Sequence, residues 1–310
     1  MGRMDEILQL FPHRIRMLFL GRPIEFEQMQ EIRLRVRQPL MMIYGGSEYI
    51  ISTKGGFCKH ANPPYIVTEN DIRETVEYIS NYSLYAFEED IKRGFLTVPG
   101  GHRVGIAGKT VVEQGRVKCI RNISFLNIRL SHEMKGCAEG CLPQIMHKDG
   151  VFHTLIVSPP MGGKTTLLRD MIRLLSNMRY HISVIDERSE IAGSYLGAPS
   201  NDLGMRTDVL DACPKALGLE MVIRSMAPDI VAVDEIGGEE DFAALRNAVN
   251  CGCVILATMH GRSMEDLLCK PFFRDAFEQK MFERFLVRGR NADKQERIWE
   301  IYDGRGQRIA

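Results

Sequence analysis

Polar segments with possible chemistry follow apolar runs at several places in this 310-residue chain, and the most informative one is residues 158–165. They read Ser-Pro-Pro-Met-Gly-Gly-Lys-Thr, between an apolar run at 151–157 and a helical pattern at 167–175. A glycine-rich turn between a strand and a helix presents backbone N–H groups and the positive end of the helix, and both attract phosphate. The segment therefore predicts a phosphate-binding loop.

The residue types in this loop fit a bound nucleoside triphosphate. We expect Gly162 and Gly163 to let the backbone approach the phosphates, and Lys164 to reach the β- and γ-phosphates. The Thr165 hydroxyl is expected to ligate Mg²⁺. The pattern usually starts with glycine, and Ser158 in that place is less free to adopt a positive φ. The predicted nucleotide-binding residues are Ser158, Pro159, Pro160, Met161, Gly162, Gly163, Lys164, Thr165 and Thr166.

Two carboxylates follow the buried strand predicted at 230–233. Asp234 is expected to hold Mg²⁺ together with Thr165, and Glu235 to orient or deprotonate the attacking water. Taken alone, an apolar run that ends in Asp-Glu is usually a strand leading into a turn. Its place downstream of the phosphate loop favours the catalytic interpretation.

Two further predicted strands end in polar groups. Residues 184–190 read Val-Ile-Asp-Glu-Arg-Ser-Glu, and residues 257–261 read Ala-Thr-Met-His-Gly. The carboxyl ends of parallel strands share one edge of a sheet, and ligands bind there. We therefore expect both segments to join the phosphate loop, with His260 as a sensor of the γ-phosphate rather than a packed histidine.

Strands alternate with helices after residue 150, which predicts an α/β domain with a parallel-core sheet and right-handed crossovers. The predicted helices are 167–175, 214–226, 242–249, 263–269 and 272–279. The predicted strands are 151–157, 182–185, 230–233 and 254–258, followed by a pair at 285–287 and 298–301 around 289–293. Helix 214–226 is expected to bury one face that carries Leu217, Met221, Val222 and Met226.

The first 130 residues predict a smaller α+β N-terminal domain. Apolar spacing at 4–20 predicts a helical segment broken at Pro12, and Thr68 is expected to cap another helix. Glycine and proline at 134–146 predict a linker, which places the domains at 1–140 and 141–310. The predicted strands here are 31–42, a hairpin within 91–108, 117–120 and 126–130.

Composition limits the partners and the compartment. The chain has 40 basic and 40 acidic residues, so net charge gives no attraction to nucleic acid or to an anionic membrane. No apolar run approaches the roughly 18 residues of a membrane-spanning helix, and the N-terminus lacks a signal-peptide core. Eight cysteines without a Cys-x-x-Cys pair predict reduced thiols rather than a zinc ribbon. We expect a cytoplasmic protein that works beside a membrane.

The four segments, in this order, resemble the secretion-type ATPases, the hexameric motors of type II and type IV secretion and of pilus retraction. Their phosphate loop, acidic box, Walker B strand and histidine box would correspond to 158–165, 184–190, 230–235 and 257–261. The resemblance implies a RecA-like P-loop NTPase domain that uses ATP and Mg²⁺. It implies a catalytic role for Glu235 and supporting roles for Glu187 and His260. Walker B here is Asp-Glu, where these motors typically have Gly-Glu.

The same resemblance implies a homohexamer whose sites lie near subunit interfaces. Arginines of a neighbouring N-terminal domain would complete those sites, and Arg103, Arg121 and Arg129 are the candidates. For each of them, a solvated sheet face is the alternative. The tetracysteine zinc module of some type II motors is absent from the sequence, so no metal beyond Mg²⁺ is implied.

Over essentially the whole chain, the sequence also resembles the stage III AA family of sporulation proteins from endospore-forming bacteria. The segments that carry this second resemblance are 119–130 and 184–238. It implies an ATP-hydrolysing motor that energises a membrane-embedded, secretion-like channel during endospore formation. The implied partners are integral membrane proteins of that channel, and the implied place is the mother-cell side of the forespore.

Two other functions stay open at this point. A RecA-like nucleic-acid-dependent ATPase is suggested by the basic strand at 33–37, although the neutral net charge disfavours it and we expect no direct nucleic-acid partner. A nucleotide-binding scaffold without turnover is disfavoured because Glu235 is intact.

Overall fold

The computed structural model describes residues 3–60, 63–81, 94–290 and 297–310. The chain divides into two compact units, Met1–His132 and Glu133–Ala310, so the division lies several residues before residue 140. The segment 134–146, expected to be a linker, is part of the second unit. Ala138, Leu142 and Ile145 are buried in the core of that unit, which explains why the segment does not run free.

The first unit contains an antiparallel sheet with the strand order β4-β3-β2-β1-β7-β6-β5 among its described residues. Alternate residues of the central strand β1 face the core, because Ile32 and Leu34 are fully buried whereas Arg33 and Arg35 are half-buried on the other face. The strands are β1 (Met29–Arg35), β2 (Met41–Tyr44), β3 (Ser47–Ile51), β4 (Phe57–Cys58), β5 (Phe95–Val98), β6 (His102–Glu113) and β7 (Arg116–Arg129).

The helices of the first unit are α1 (Arg3–Leu8), α2 (His13–Phe19) and α3 (Glu69–Ile79), within the described residues. The predicted break at Pro12 is confirmed, because Pro12 precedes α2 in an extended conformation. The predicted cap is confirmed too. The Thr68 hydroxyl accepts the backbone N–H of Asp71, and the Asp71 carboxylate accepts the backbone N–H of Thr68.

Two strand predictions in this unit are wrong. Residues 31–42 do not form one strand, because β1 ends at Arg35 and Arg37 adopts a positive φ of 63° in a turn that leads to β2. Residues 117–130 do not form two strands, because β7 is one strand that pairs with β6 along its length. The pairing contains shifts in register, which are accommodated by β-bulges. The hairpin predicted within 91–108 is confirmed from Phe95 onward, and residues 91–93 lie outside the described part of the chain.

The second unit contains the sheet β12-β11-β13-β14-β10-β15-β16, in which every pair is parallel except β15 with β16. A short hairpin of β8 and β9 precedes it. The described strands are β8 (Met146–His147), β9 (Gly150–Val151), β10 (Thr154–Ser158), β11 (Ile182–Asp186), β12 (Thr207–Asp211), β13 (Ile230–Val233), β14 (Val254–His260), β15 (Arg284–Arg290) and β16 (Arg297–Asp303).

Helices cover both faces of this sheet. Leu155 and Val157 of β10 face one apolar cluster and Ile156 faces the other, as the alternation of a strand requires. In the described chain, the helices are α4 (Leu142–Ile145), α5 (Lys164–Met178), α6 (Lys215–Met226), α7 (Glu239–Asn250), α8 (Met264–Leu268) and α9 (Pro271–Glu278). None of the helices in the described ranges combines the length and the apolar character needed to span a bilayer.

Three details of this unit differ from the sequence prediction. The strand expected at 151–157 is interrupted, because β9 ends at Val151 and β10 begins at Thr154. Strand β12 was not expected. Helix α6 buries Val222 as predicted, but it also buries Leu219, and the other three residues of the predicted face, Leu217, Met221 and Met226, are each about half exposed. The pair β15–β16 is confirmed, and residues 291–293 of its expected turn lie outside the described chain.

Candidate nucleotide site

The loop between β10 and α5 has the backbone geometry of a phosphate cradle. Ser158 is the fully buried last residue of β10 and its backbone is extended. The loop therefore does not require a positive φ at this position. Positive φ falls instead on Met161 (59°) and Gly163 (89°). A Cβ on Gly162 would lie 2.6 Å from Ser158 Oγ and 2.9 Å from the Pro159 carbonyl oxygen, which explains the need for glycine there.

The first turn of α5 completes this cradle. Gly163 precedes the helix, and the N–H groups of Lys164, Thr165 and Thr166 lie in the first turn, where an α-helix provides no acceptor for them. Together with the helix dipole, these donors favour a bound anion. Pro159 and Pro160 lie in the turn before them, and the side chain of Met161 is 92% exposed.

A hydroxyl and a carboxylate meet beside this loop. The Thr165 hydroxyl donates to Asp234 Oδ2 over 2.8 Å. The other oxygen of Asp234, Oδ1, accepts the Glu235 backbone N–H over 3.0 Å and the hydroxyl of Thr258. Because Mg²⁺ prefers hard oxygen ligands of this kind, the Thr165 and Asp234 pair fits the predicted magnesium site.

The carboxylate of Glu235 is the meeting point of three side chains. Lys164 Nζ lies 3.0 Å from Oε1, and His260 Nε2 lies 2.9 Å from the same oxygen. Arg188 Nη1 donates to Oε2. The side chains of Glu235 and Lys164 are only 16% and 8% exposed, so the contact between them is made largely away from bulk water. The structure thus brings together Lys164, Glu235 and His260 as predicted, and adds Arg188.

The charge state of Glu235 follows from these contacts. Burial acts to raise the pKa of the Glu235 carboxyl, but the Lys164 ammonium and the Arg188 guanidinium outweigh it and hold that pKa below its ordinary value. The carboxylate is therefore ionised at neutral pH and is able to accept a proton from water. Since an ionised carboxylate only accepts hydrogen bonds, the proton between it and His260 belongs to Nε2.

Asp186, the first acid of the segment 184–190, is the last residue of β11. Asp186 is buried and its carboxylate accepts the backbone N–H groups of Glu190, Ile191 and Ala192 over 2.8, 2.9 and 2.8 Å. Burial raises the pKa of Asp186 to about 6, despite these N–H groups. Asp186 therefore shapes the loop that follows it.

Glu187 does not contact the carboxylate of Glu235. Its Oε2 pairs with Lys215 Nζ at the start of α6. The next residue, Arg188, reaches Glu235 instead. The sequence analysis expected this segment at the site but did not identify Arg188 as the contacting residue, because the contact depends on β11 lying beside β13 in the sheet. A supporting role for Glu187 stays a prediction.

The three candidate arginines lie on strands of the first unit. The Arg103 guanidinium lies 4.9 Å from the Phe95 ring centre, and Arg129 lies opposite Arg103 in the register of β6 and β7. Arg129 Nε also lies 3.6 Å from a carboxylate oxygen of Glu31. Arg121 lies nearer the start of β7, opposite Lys109. None of the three belongs to the unit that holds the phosphate loop, and their participation stays a prediction.

Comparison with known proteins relates the whole chain to one family. The family described as sporulation stage III, protein AA, matches residues 1–309. The stage III sporulation protein AA of Bacillus subtilis (strain 168) is 38% identical over 309 residues, which cover 98% of this chain and 96% of that protein. The uncharacterized protein ycf45 of Porphyra purpurea is 24% identical over 284 residues, which cover 88% of this chain and 43% of that protein.

Two solved structures share the fold. The ATPase DotB of Legionella pneumophila matches with a TM-score of 0.58 at 14% identity, over 94% of this chain and 82% of that one. The pilus retraction motor PilT with bound ADP matches with a TM-score of 0.59 at 15% identity, over 96% of this chain and 82% of that one. The predicted α/β, RecA-like domain with a parallel-core sheet, preceded by an N-terminal α+β domain, is thereby confirmed.

Proposed function

This chain belongs to the family of stage III AA sporulation proteins, and on that premise we propose that it is an ATP-hydrolysing motor. The observation that carries the proposal is the cluster of Lys164, Thr165, Asp234 and Glu235 at one edge of a RecA-like sheet. A cation, a hydroxyl and two carboxylates in this arrangement supply what phosphoryl transfer to water requires, which is positioning and charge neutralisation.

In the proposed reaction, a water oxygen attacks the γ-phosphorus of ATP and its proton passes to Glu235. The bond between the γ-phosphorus and the bridging oxygen breaks, and ADP and phosphate are released. Lys164 and the N–H groups at the start of α5 hold the β- and γ-phosphates. Thr165 and Asp234 would hold Mg²⁺, which neutralises phosphate charge when bound. His260 keeps the Glu235 carboxylate oriented through its 2.9 Å contact.

At the level of the assembly, we propose a homohexamer that energises a channel built from integral membrane proteins during endospore formation. The chain would act at the membrane, on the mother-cell side of the forespore. In such a ring, Arg103, Arg121 or Arg129 of one subunit would reach the nucleotide of the next. Loss of an arginine that acts in this way should lower the rate by about 10³- to 10⁵-fold.

A nucleic-acid-dependent ATPase remains the second candidate, because β1 and the turn after it carry Arg33, Arg35 and Arg37. Two of these arginines are already paired within the first unit. Arg33 lies 2.6 Å from Glu31, and Arg37 lies 3.1 Å from Glu69. Hydrolysis that DNA or RNA stimulates, with a steep dependence on salt, would favour this candidate over the channel motor.

Two substitutions test the proposed ATPase site in the full chain. Lys164→Ala should abolish ATP hydrolysis because the phosphates lose their cation, and Glu235→Gln should abolish hydrolysis because the amide cannot accept the proton of water. Glu235→Gln should still bind nucleotide. The measurement is phosphate release at saturating ATP and Mg²⁺, together with the affinity for a fluorescent ATP analogue.

Matched controls come from exposed residues outside the site. Lys148→Ala, in the turn between β8 and β9, and Glu240→Gln, in the first turn of α7, remove the same charges elsewhere. Both should keep wild-type turnover. Normal hydrolysis in either Lys164→Ala or Glu235→Gln would exclude this site as the place of catalysis.

A further inference from the structure

We infer that Arg188 is a positioning residue that holds the Glu235 carboxylate in place while water is activated. The inference rests on the proposed ATPase function. It concerns a residue outside the predicted catalytic set, which comprises Glu235, Glu187 and His260.

The two oxygens of the Glu235 carboxylate have different partners. Oε1 is shared by Lys164 Nζ at 3.0 Å and His260 Nε2 at 2.9 Å. Oε2 accepts from Arg188 Nη1. Within the described residues, Arg188 is therefore the side chain that contacts the oxygen not shared by Lys164 and His260.

The backbone around Arg188 is held by contacts that do not involve Glu235. The adjacent Ser189 hydroxyl donates to Asp211 Oδ1 over 2.7 Å. The carbonyl oxygen of Glu190 accepts from Arg169 Nη2, also over 2.7 Å. Because Arg169 belongs to α5, the helix that begins at the phosphate loop, the segment that carries Arg188 is tied to the same element that binds the phosphates. The chain on the C-terminal side of Arg188 is thus restrained by the scaffold.

Nucleotide binding changes what Arg188 does for Glu235. In the proposed reaction, the Lys164 ammonium turns to the β- and γ-phosphates and leaves Oε1. A carboxylate has about four lone-pair positions, so the vacated side of Oε1 can accept the attacking water. Arg188 on Oε2 and His260 on Oε1 then prevent the carboxylate from turning away. Without Arg188, one of these two restraints is lost at the moment when Lys164 also leaves.

The contact of Arg188 with Glu235 contributes little to stability. The Arg188 side chain is 62% exposed, so its guanidinium stays largely hydrated whether or not it pairs with Glu235. Its effect is therefore expected in turnover rather than in folding. A planar guanidinium also holds a carboxylate oxygen in a more fixed geometry than an ammonium does, so lysine should replace it only in part.

The test compares Arg188→Ala, Arg188→Lys and Arg224→Ala in the full chain. Arg224 is a matched control, because it is an exposed arginine on α6 that pairs with Glu220 over 2.6 Å. Arg188→Ala should lower kcat by about tenfold or more, while the affinity for ADP stays within about twofold and the melting temperature is unchanged. Arg188→Lys should recover part of kcat, and Arg224→Ala should match the wild type.

The possible failures are distinguishable. Wild-type kcat in Arg188→Ala, in a chain whose wild type hydrolyses ATP, overturns the role of Arg188 and leaves the ATPase function standing. A lower melting temperature together with equal loss in Arg188→Ala and Arg188→Lys shows a merely structural residue and also overturns it. Absence of hydrolysis in the wild type overturns the proposed function itself.

Discussion

At the scale of single residues, the Glu235 carboxylate collects side chains from three other parts of the second unit. Lys164 comes from α5, His260 from β14, and Arg188 from the loop after β11. Lys164 and His260 were predictable, because each lies in a motif at the end of an apolar strand. Arg188 also lies in such a motif, residues 184–190, but its contact was not predicted, because sequence spacing does not show which side chain of that segment reaches Glu235.

Asp186 provides a pH-dependent test of the same region. Its native pKa of about 6 lies above the ordinary value of 3.8, so the folded state binds this proton more tightly than the unfolded state. The resulting stabilisation is complete below pH 3.8 and is lost as the pH rises through about 6. Between pH 4 and pH 7, the unfolding free energy of the wild type should therefore fall relative to that of Asp186→Asn, by on the order of 3 kcal/mol.

Urea titration of both proteins across this pH range measures the effect. The informative quantity is the difference between the two proteins at each pH, because other carboxylates titrate equally in both. A difference that stays constant from pH 4 to pH 7 would show that Asp186 has an ordinary pKa in the folded chain.

At the scale of elements, strand predictions in the second unit were correct where a strand is a continuous apolar run. The strands β10, β13 and β14 are almost wholly buried, so they read as continuous apolar runs between helices. Strand β12, with the sequence Thr-Asp-Val-Leu-Asp, lies at the sheet edge and lacks such a run. The buried face of α6 was predicted correctly only at Val222, because apolar residues lie on more than one side of this helix.

The capping box of α3 yields a quantitative prediction for the first unit. Thr68→Ala removes the hydroxyl that accepts the Asp71 backbone N–H over 3.1 Å. The loss of such a cap typically costs about 1 kcal/mol of unfolding free energy. Calorimetry of the full chain should show a lower melting temperature for Thr68→Ala, and a nearly normal one for Thr68→Ser, which keeps the hydroxyl. Identical melting curves for Thr68→Ala and the wild type would contradict the capping role.

At the scale of the whole molecule, sequence patterns predicted two units but placed the boundary between them several residues too late in the chain. The apolar residues Ala138, Leu142 and Ile145 lie among glycines and prolines, so the segment resembled a linker although it packs in the core of the second unit. In the proposed assembly, arginines of the first unit would act on another subunit.

The hexamer can be tested by native mass measurement of Glu235→Gln with saturating ATP and Mg²⁺. This variant should bind ATP without hydrolysing it. If bound ATP stabilises the oligomer, the oligomer should therefore become the more abundant species. We expect a species of six chain masses with ATP and a smaller share of it without nucleotide. A mass of one chain at every protein concentration, with and without ATP, would contradict the proposed ring for the protein by itself.

The central claim is that Glu235 activates water at an ATP site that Lys164 and Thr165 help to form. The most direct test is to identify the nucleotide, ATP or ADP, that remains bound to the protein. Wild-type protein and Glu235→Gln are each loaded with ATP and Mg²⁺, freed of excess nucleotide, incubated and denatured, and the released nucleotide is identified by chromatography. The account predicts ADP from the wild type and intact ATP from Glu235→Gln. ADP from both proteins in equal yield would contradict it.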